Sequence, residues 1–563
     1  MPPDQSQEDL PRPGHPDPQW WHKSSVYQIY PASFQDSNGD GIGDINGIIL
    51  RLDYLQRLGI DLIWLSPIFA SPMRDNGYDI SDYCAIAPQF GTLDDFDRLV
   101  AEAKKRDIGI LLDLVVNHTS DQHHWFIDAL GSRNAKKRDF YVWRDPAPDG
   151  GAPNDLQSIF GGPAWTYDKA SGQYYLHQFS AHQPDLNWEN PDLRAAIYEM
   201  MNWWLDRNIT GFRMDVIDLI GKDIDHGICA NGPHLHDYLR EMHQKSFGGK
   251  NVLTVGEAWS ATPKTALLYS GRNRGELSMV FQFEHVTRFW DKTYGKWRPK
   301  PVDLVALKEV FNRWQNALAD DGWNSLFWGN HDLPRAVSRY GNDTHYRVQS
   351  AKMLATVLHL MKGTPFIFQG EELGMTNASF KDISEFRDVE TLNMYQIHTK
   401  AGLADADFIA GANANGRDNA RTPMQWSNGP NAGFTTGAPW IKTNPNYNEI
   451  NAAACLTDKN SIFWHYKKLI GLRKSCPVIV YGRYQSFLDD HPQCFAYMRE
   501  LNGECLAVIA NFCADQISVE IPAAMRMRGD NLITNYQPVS AFGATLELAP
   551  YEVQVIYCIN AMA

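Results

Sequence analysis

Alternation of short apolar segments with amphipathic helical segments restricts the fold of this chain more than any other feature of its sequence. Eight strand-like segments occur at 25–31, 61–67, 108–115, 211–216, 251–257, 277–283, 325–331 and 365–371. Helical patterns lie between them, for example at 94–106 and 192–208. Strands that alternate with helices form parallel sheets, and eight such units close into a barrel. An open doubly wound sheet would normally carry a glycine-rich phosphate-binding turn after its first strand, and that turn is missing here. We therefore predict an α/β fold built on a (β/α)8 TIM barrel.

Interruptions of the alternation predict the domain organisation. The barrel is expected to comprise 20–117 and 186–483, with a small inserted domain at 118–185, after the third strand. From 484 to 563 the pattern changes to short β segments, which predicts a C-terminal antiparallel β domain. Residues 1–19 are acidic and proline-rich, so we predict a disordered tail.

Composition excludes several classes of partner. The net charge of −14 argues against nucleic acid and anionic membranes. No apolar run approaches the roughly 20 residues of a membrane span, and the first residues lack the basic and apolar regions of a signal peptide. The eight cysteines form no CxxC pair, which argues against a zinc site and favours reduced thiols in the cytoplasm. We expect a cytoplasmic monomer that acts on a small molecule.

Polar residues gather at the carboxyl ends of the predicted strands, where barrel enzymes hold their active sites. They are found in "DNGYD" (75–79), in "DLVVNH" (113–118), at Arg213 and Asp215, at Glu257, and in "NHD" (330–332). A single aspartate at such an end could simply cap a helix, and a single histidine could be a buried core residue. Three carboxylates at three different strand ends (Asp215, Glu257 and Asp332) are harder to explain in that way.

Two carboxylates on either side of an acetal are the groups that glycoside hydrolysis requires. One acts as nucleophile or base and the other protonates the leaving oxygen. Crowding should raise the pKa of at least one carboxyl, as a general acid needs. Arg213 and Asp215 share one face of their strand, so we expect Arg213 to lower the pKa of Asp215 and keep it ionised.

Four of these motifs, in this order, resemble the α-amylase family of retaining α-glycosidases (glycoside hydrolase family thirteen). They are "DLVVNH" (113–118), "GFRMDVI" (211–217), "GEAW" (256–259) and "NHD" (330–332). The resemblance implies Asp215 as nucleophile, Glu257 as acid/base and Asp332 as transition-state stabiliser. It also implies that His118, Arg213 and His331 contact the glucose that is cleaved off.

Three further stretches resemble the oligo-1,6-glucosidase and dextran glucosidase branch: 159–165, 183–194 and 416–426. The resemblance implies that Asp75 and Arg417 close the pocket around a non-reducing glucose and that Tyr78 is its stacking platform. Phe160, Phe179 and Gln183, from the inserted domain, are implied to complete the pocket. A closed pocket accepts one terminal sugar, so cleavage should be exo.

Val216, directly after the nucleophile, bears on the linkage. In this branch valine at this position goes with α-1,6 enzymes, whereas alanine or threonine goes with enzymes acting on α-1,4 bonds or sucrose. The alternative interpretation is that Val216 is only a β-former at a strand end.

The stretch "DSNGDGIGD" (36–44) resembles the front of an EF-hand loop. Its donors would be Asp36, Asn38, Asp40, the Ile42 carbonyl and Asp44. The twelfth position is Gly47 where an EF-hand has glutamate, so a sensor is excluded. Family members carry a structural calcium in the matching loop, and we expect Ca²⁺ here and no organic cofactor. The alternative is an Asx-turn without metal.

We therefore expect a retaining exo-α-glucosidase that hydrolyses α-1,6 bonds of isomaltose and isomalto-oligosaccharides. Hydrolases of trehalose 6-phosphate, isomaltulose or trehalulose have the same motifs and stay open as alternatives. Trehalose 6-phosphate would require a cation on the leaving-group side, for which Lys296, Arg298 and Arg288 are available. A sucrose isomerase is less well matched because "VTRFWDKTYGKW" (286–297) lacks its arginine-rich loop. A non-catalytic binding protein of this fold would have lost catalytic carboxylates that this chain retains.

Overall fold

A computed structural model describes residues 18–559. Most of the predicted tail (1–19) lies outside the described residues. Eight barrel strands follow in chain order: β1 Val26–Ile29, β2 Leu62–Leu65, β3 Gly109–Leu114, β4 Gly211–Met214, β5 Leu253–Glu257, β6 Met279–Phe281, β7 Ser325–Leu326 and β8 Thr364–Phe368. They form one parallel sheet in the order β6-β5-β4-β3-β2-β1-β8-β7. A parallel bridge between Val280 and Asn324 joins β6 to β7, so the predicted barrel is confirmed.

Each barrel strand is followed along the chain by a helix. The helices are α1 Ile45–Leu58, α2 Leu93–Lys104, α3 Pro191–Leu205, α4 Leu235–Met242, α5 Pro263–Ser270, α6 Leu304–Ala317, α7 Arg347–His359 and α8 Ile462–Ser475. Local sequence sets their ends. Asp44 caps the first turn of α1 by accepting a hydrogen bond from the Gly47 amide, and Gly59 ends the helix in the left-handed conformation at φ 101°.

Strand β4 shows how the barrel divides its side chains between two surfaces. Phe212 and Met214 are fully buried in the apolar layer between the strands and the helices. Arg213 points to the barrel interior, in register with Val255 on β5 and with Asp113 on β3. The chain therefore places a charged residue inside the barrel at the level where the strands end.

The inserted segment rises from the end of β3. It contains a three-stranded antiparallel sheet of Trp143–Arg144, Trp165–Asp168 and Gln173–Leu176 and the short helix His124–Ala129. At its base His118 pairs with Asp185 in an antiparallel bridge. Both ends of the segment are thus held at the carboxyl ends of the barrel strands.

Additional elements follow β8 or lie in the connections between barrel strands. Helix Val389–Lys400 lines the cavity at the barrel mouth together with Phe160 and Gly161 of the inserted segment, and helix Asp405–Asn415 packs against it. The C-terminal five-stranded antiparallel sheet has the order Arg483–Phe487, Cys494–Leu501, Glu504–Asn511, Val553–Ile559 and Asp530–Thr534. Smaller antiparallel pairs join Ile517–Glu520 to Thr545–Leu548, Met527–Arg528 to Ala541–Phe542, and Phe69–Ala70 to Asp82–Ile86. Short helices lie at Glu284–Thr287, Ala336–Tyr340, Asp418–Arg421, Ala452–Thr457 and Pro477–Tyr481.

Within residues 18–559, no helix has the length and apolar character to cross a membrane.

Candidate active site

A cavity of about 870 Å³ opens at the carboxyl ends of the barrel strands. Ten of the residues predicted for the site line it: Asp75, Tyr78, His118, Phe160, Phe179, Asp215, Val216, Glu257, Asp332 and Arg417. The other three, Gln183, Arg213 and His331, are buried directly beneath, each at most 1% exposed. The structure therefore brings together all the residues that the sequence predicts for catalysis and glucose contact.

Arg213 is at the centre of the polar floor, where it bridges three carboxylates. Its Nη1 donates to Asp215 Oδ1 and to Asp113 Oδ1, both at 2.7 Å. Its Nη2 lies 2.8 Å from Glu257 Oε2. One guanidinium thus fixes the two side chains expected to react. Sequence reasoning missed Asp113, although a charged residue inside a buried strand requires a partner.

The protonation of this cluster differs from the sequence prediction. Burial and the charges of Glu257 and Asp113 raise the pKa of Asp215, although Arg213 lowers it. Burial likewise raises the pKa of Asp113 to about 6, against the opposing effect of Arg213. The predicted influence of Arg213 is present, but the expected net lowering for Asp215 is wrong. Burial and the crowding of three carboxylates around one cation account for the raised pKa of both aspartates.

Asp332 lies in the opposite electrostatic environment. Its Oδ1 accepts from Arg421 at 2.9 Å and from Arg417 at 3.2 Å, and His331 Nε2 lies 3.2 Å from its Oδ2. Burial alone would raise the pKa of Asp332, but these neighbours hold that pKa well below its usual range. Asp388, which the sequence analysis missed, binds the same Arg417 at 2.5 Å. Asp332 therefore stays ionised beside the cavity, as a group that stabilises positive charge must.

Asp75 and Arg417 close the far end of the cavity. Arg417 Nη2 lies 3.5 Å from Asp75 Oδ1, while Gln183 Nε2 donates to Asp75 Oδ2 at 2.9 Å. Burial raises the pKa of Asp75 to about 7, although Arg417 opposes the shift. A charged side chain on each side blocks any extension of a sugar chain in this direction.

Aromatic rings form the walls beside this closed end. Tyr78 stacks on His331 at 5.3 Å between ring centroids, and its hydroxyl lies 2.6 Å from His331 Nε2. His118 Nε2 contacts the Tyr78 carbonyl at 3.1 Å, which fixes the orientation of the histidine ring. Phe160 and Phe179 meet edge to face at 5.3 Å. The result is a narrow pocket with one apolar face and several hydrogen-bonding groups.

Val216 departs from the backbone expected for its residue type. It lies beyond β4, in the left-handed conformation at φ 34° and ψ 44°. This region is a genuine outlier for a β-branched residue and costs about 1–3 kcal/mol. Strand propensity therefore does not account for valine here. The kink directs the Val216 amide to Glu257 Oε2, at 3.1 Å, and packs the side chain against Phe160 and Phe179.

The leaving-group side of the cavity is lined by aromatic rings and by a lysine whose charge is paired with a carboxylate. Trp259 stacks on Phe283 at 3.8 Å, and Trp290 lies 6.0 Å away from Trp259. Lys296 lines the cavity, but its Nζ is paired with Glu390 Oε2 at 2.5 Å. Neither of the other two basic residues considered for a phosphate, Arg288 and Arg298, lines the cavity. Arg288 instead pairs with Glu309 at 3.2 Å, and Arg298 is exposed.

The loop predicted to bind calcium uses its oxygens within the protein. Asp36 Oδ1 accepts from the Asn38 and Gly39 amides at 2.8 and 2.7 Å, and Asp40 Oδ1 accepts from the Ile42 amide at 2.8 Å. Asp44 is engaged as the cap of α1. Across residues 18–559, no three His, Cys, Asp or Glu side chains converge as a metal site would require. These oxygens accept hydrogen bonds within the protein, calcium at this loop stays a prediction, and no step below depends on it.

A TIM barrel with paired carboxylates in a closed sugar-sized pocket defines a glycoside hydrolase. Comparison with known proteins agrees. The family model described as "Alpha amylase, catalytic domain" matches residues 28–482. The palatinase of Erwinia rhapontici is 58% identical over 94% of this chain and 97% of its own length. The oligo-1,6-glucosidase of Halalkalibacterium halodurans is 52% identical over 95% of this chain and 98% of its own.

A solved structure, that of the trehalose-6-phosphate hydrolase of Bacillus licheniformis, superposes with a TM-score of 0.92 at 46% identity, covering 96% of this chain and 100% of that one. The chain belongs to the α-amylase family, glycoside hydrolase family thirteen, in its oligo-1,6-glucosidase branch. The predicted family, branch and enzyme class are thus confirmed.

Proposed function

We propose that this enzyme is a retaining exo-α-glucosidase that removes glucose from the non-reducing end of short α-1,6-linked saccharides, with isomaltose as the reference substrate. The observation that supports the proposal is the guanidinium that Asp215 and Glu257 share. On one side of a closed pocket, Arg213 Nη1 lies 2.7 Å from Asp215 Oδ1 and Arg213 Nη2 lies 2.8 Å from Glu257 Oε2. Two carboxylates held by one rigid fork are pre-organised for double displacement.

In the first step Asp215 attacks the anomeric carbon while Glu257 gives its proton to the departing oxygen. A covalent glucosyl-enzyme forms, and the leaving sugar departs with the proton. In the second step Glu257 takes a proton from water, the water attacks the anomeric carbon, and Asp215 is released. Asp332, ionised between two arginines, stabilises the positive charge that develops on the sugar ring in both steps.

The choice of a terminal glucose follows from the closed end of the pocket. Asp75, Arg417 and Gln183 offer donors and acceptors for the outer hydroxyls of one sugar. Extending the substrate past them would separate the Asp75–Arg417 pair and leave buried charges without partners, which is expensive.

Phosphorylated disaccharides are disfavoured by the pairing of Lys296 with Glu390. Both side chains are only 12–13% exposed, and Glu390 also lies 3.3 Å from Arg417 Nε. A phosphate would compete with a carboxylate already in place. Isomaltulose, which is also called palatinose, is the stronger second candidate. It has the α-1,6 linkage, and a relative at 58% identity is named palatinase.

A panel of isomaltose, isomaltotriose, isomaltulose, maltose, sucrose and trehalose 6-phosphate tests the proposal through kcat/KM for glucose release. We expect both α-1,6 disaccharides to exceed maltose at least about tenfold, and proton NMR during the first minutes to show α-glucose as the released product. The isomaltose to isomaltulose ratio separates the two candidates. A higher kcat/KM for trehalose 6-phosphate, or initial release of β-glucose, would contradict the proposal.

Replacing Val216 by alanine is expected to lower the isomaltose to maltose ratio of kcat/KM by about tenfold, the usual effect of one or two methyl groups in an apolar pocket. Alanine tolerates the left-handed backbone better than valine, so the melting temperature should not fall. Leu219→Ala, in the same apolar cluster, is the matched control for lost volume. An unchanged ratio in Val216→Ala, or an equal change in the control, would mean that Val216 does not determine the linkage preference.

A further inference from the structure

The loops after β4 and β5 are connected at two points beyond the Arg213 fork. The first is the hydrogen bond from the Val216 amide to Glu257 Oε2. The second joins Asp218, two positions after Val216, to Ser260, three positions after Glu257. Asp218 Oδ2 accepts from the Ser260 amide at 3.0 Å and also from the Ser260 hydroxyl. The segment that carries the nucleophile is thereby clasped to the segment that carries the acid/base.

A polar network around Asn231 supports the contact between Asp218 and Ser260. Asn231 Nδ2 donates to the Ser260 hydroxyl at 2.7 Å, and the Asn231 amide donates to the Asp218 carbonyl at 2.8 Å. The Tyr269 hydroxyl donates to Asn231 Oδ1 at 2.5 Å. Asn231 thus contacts both partners at once, and α5 fixes its orientation through Tyr269. Each group has a defined direction, so the network has a single arrangement.

The fold alone does not explain why a buried carboxylate occupies position 218. Asp218 is 1% exposed, its Oδ1 has no hydrogen-bond partner, and in the described part of the chain no lysine, arginine or histidine forms an ion pair with it. The short helix that contains it (Ile217–Leu219) has no side-chain cap. A buried carboxylate without a cation destabilises a fold, and such groups collect at functional sites. Asp218 also lines the cavity beside Trp259.

We propose that Asp218 is a positioning residue that acts through Ser260 to hold Glu257 at the correct distance from Asp215. The inference rests on the proposed function, because it assigns Glu257 the proton transfer. The left-handed kink at Val216 turns the chain so that the clasp can form. Without the contact between Asp218 and Ser260, only the Val216 amide and the Arg213 fork hold Glu257 against the β4 segment. A displacement of about 1 Å at Glu257 reduces turnover by up to about 100-fold.

The variants Asp218→Ala, Asp218→Asn and Ser260→Ala test this with two substrates of different leaving-group quality. Isomaltose requires the proton from Glu257, whereas α-glucosyl fluoride has a leaving group that departs without full protonation. We expect Asp218→Ala to lower kcat on isomaltose by about 10- to 100-fold with little change in KM, and to lower kcat/KM on the fluoride less than about threefold. Asp218→Asn keeps an oxygen for the Ser260 amide and should recover most of the loss.

Thr262→Ala is the matched control, because it removes a hydroxyl from the same β5 loop at an exposed cap that does not contact the clasp. It should act like the unmodified enzyme on both substrates. Equal losses of Asp218→Ala on isomaltose and on the fluoride, or no loss on either, would overturn the inference. If Asp218→Ala does not fold, Ser260→Ala decides, because it removes the hydroxyl that donates to Asp218. It should lower kcat on isomaltose more than kcat/KM on the fluoride, and equal losses on the two substrates would overturn the inference. Failure of the unmodified enzyme to cleave α-glucosides would instead refute the proposed function.

Discussion

Asp215→Asn is expected to lower kcat on isomaltose by on the order of 10⁴-fold, because an amide cannot form the glucosyl-enzyme. The fold should survive. Asparagine keeps an oxygen for Arg213 Nη1, which donates to Asp215 Oδ1 at 2.7 Å. Removing one of three carboxylates that share a single cation also relieves their repulsion. We therefore expect the melting temperature to stay the same or to rise, as at other sites where function opposes stability.

Kinetics and calorimetry on the same preparation check both halves of this expectation. Asp343→Asn, at an exposed loop position, is the control for a surface carboxylate and should retain full activity. In Asp215→Gly, azide can occupy the space of the missing carboxylate and attack an activated α-glucoside, giving β-glucosyl azide. Residual turnover above about 1% in Asp215→Asn, or α-glucosyl azide from Asp215→Gly, would assign the nucleophile to another residue.

The barrel was predictable because its signal repeats. Eight apolar segments of strand length separated by amphipathic segments leave few other topologies, and each predicted strand overlaps an observed one. The predicted site residues followed from that topology, since strand ends in a closed barrel converge wherever they lie in the sequence. The bounds of some strands were less well predicted. The strand β7 covers only Ser325–Leu326 of the predicted 325–331. At β4 the apolar pattern continues to Val216, whereas the strand ends at Met214.

Features that depend on long-range pairing could not be predicted. Lys296 was considered as a free cation for phosphate, but it is paired with Glu390 from the helix after β8. Asp388 and Arg421 complete the charges around Asp332, yet neither lies at the end of a barrel strand. The left-handed backbone of Val216 contradicts its residue type, so no propensity rule would propose it. Such conflicts between local preference and observed structure are expected at functional sites.

Glu257→Gln is the second large effect, and its size should depend on the substrate. We expect kcat/KM for isomaltose to fall by about 10²- to 10⁴-fold, because the leaving sugar requires a proton that glutamine cannot supply. For α-glucosyl fluoride we expect a loss of less than about tenfold in kcat/KM, which reports the first step alone. The second step still lacks its base, so the glucosyl-enzyme should accumulate and appear as a burst followed by slow turnover.

Local geometry predicts a modest stability change for this variant and supplies a further test. Glutamine retains an oxygen for Arg213 Nη2 and the Val216 amide, but its amide group would face Trp259 Nε1, which donates to Glu257 Oε1 at 3.1 Å. One lost hydrogen bond of this kind costs about 1–3 kcal/mol, so the melting temperature should fall by a few degrees. Added azide should accelerate the second step and give α-glucosyl azide, because the nucleophile is intact. Equal losses on isomaltose and on the fluoride, or no response to azide, would mean that Glu257 is not the acid/base.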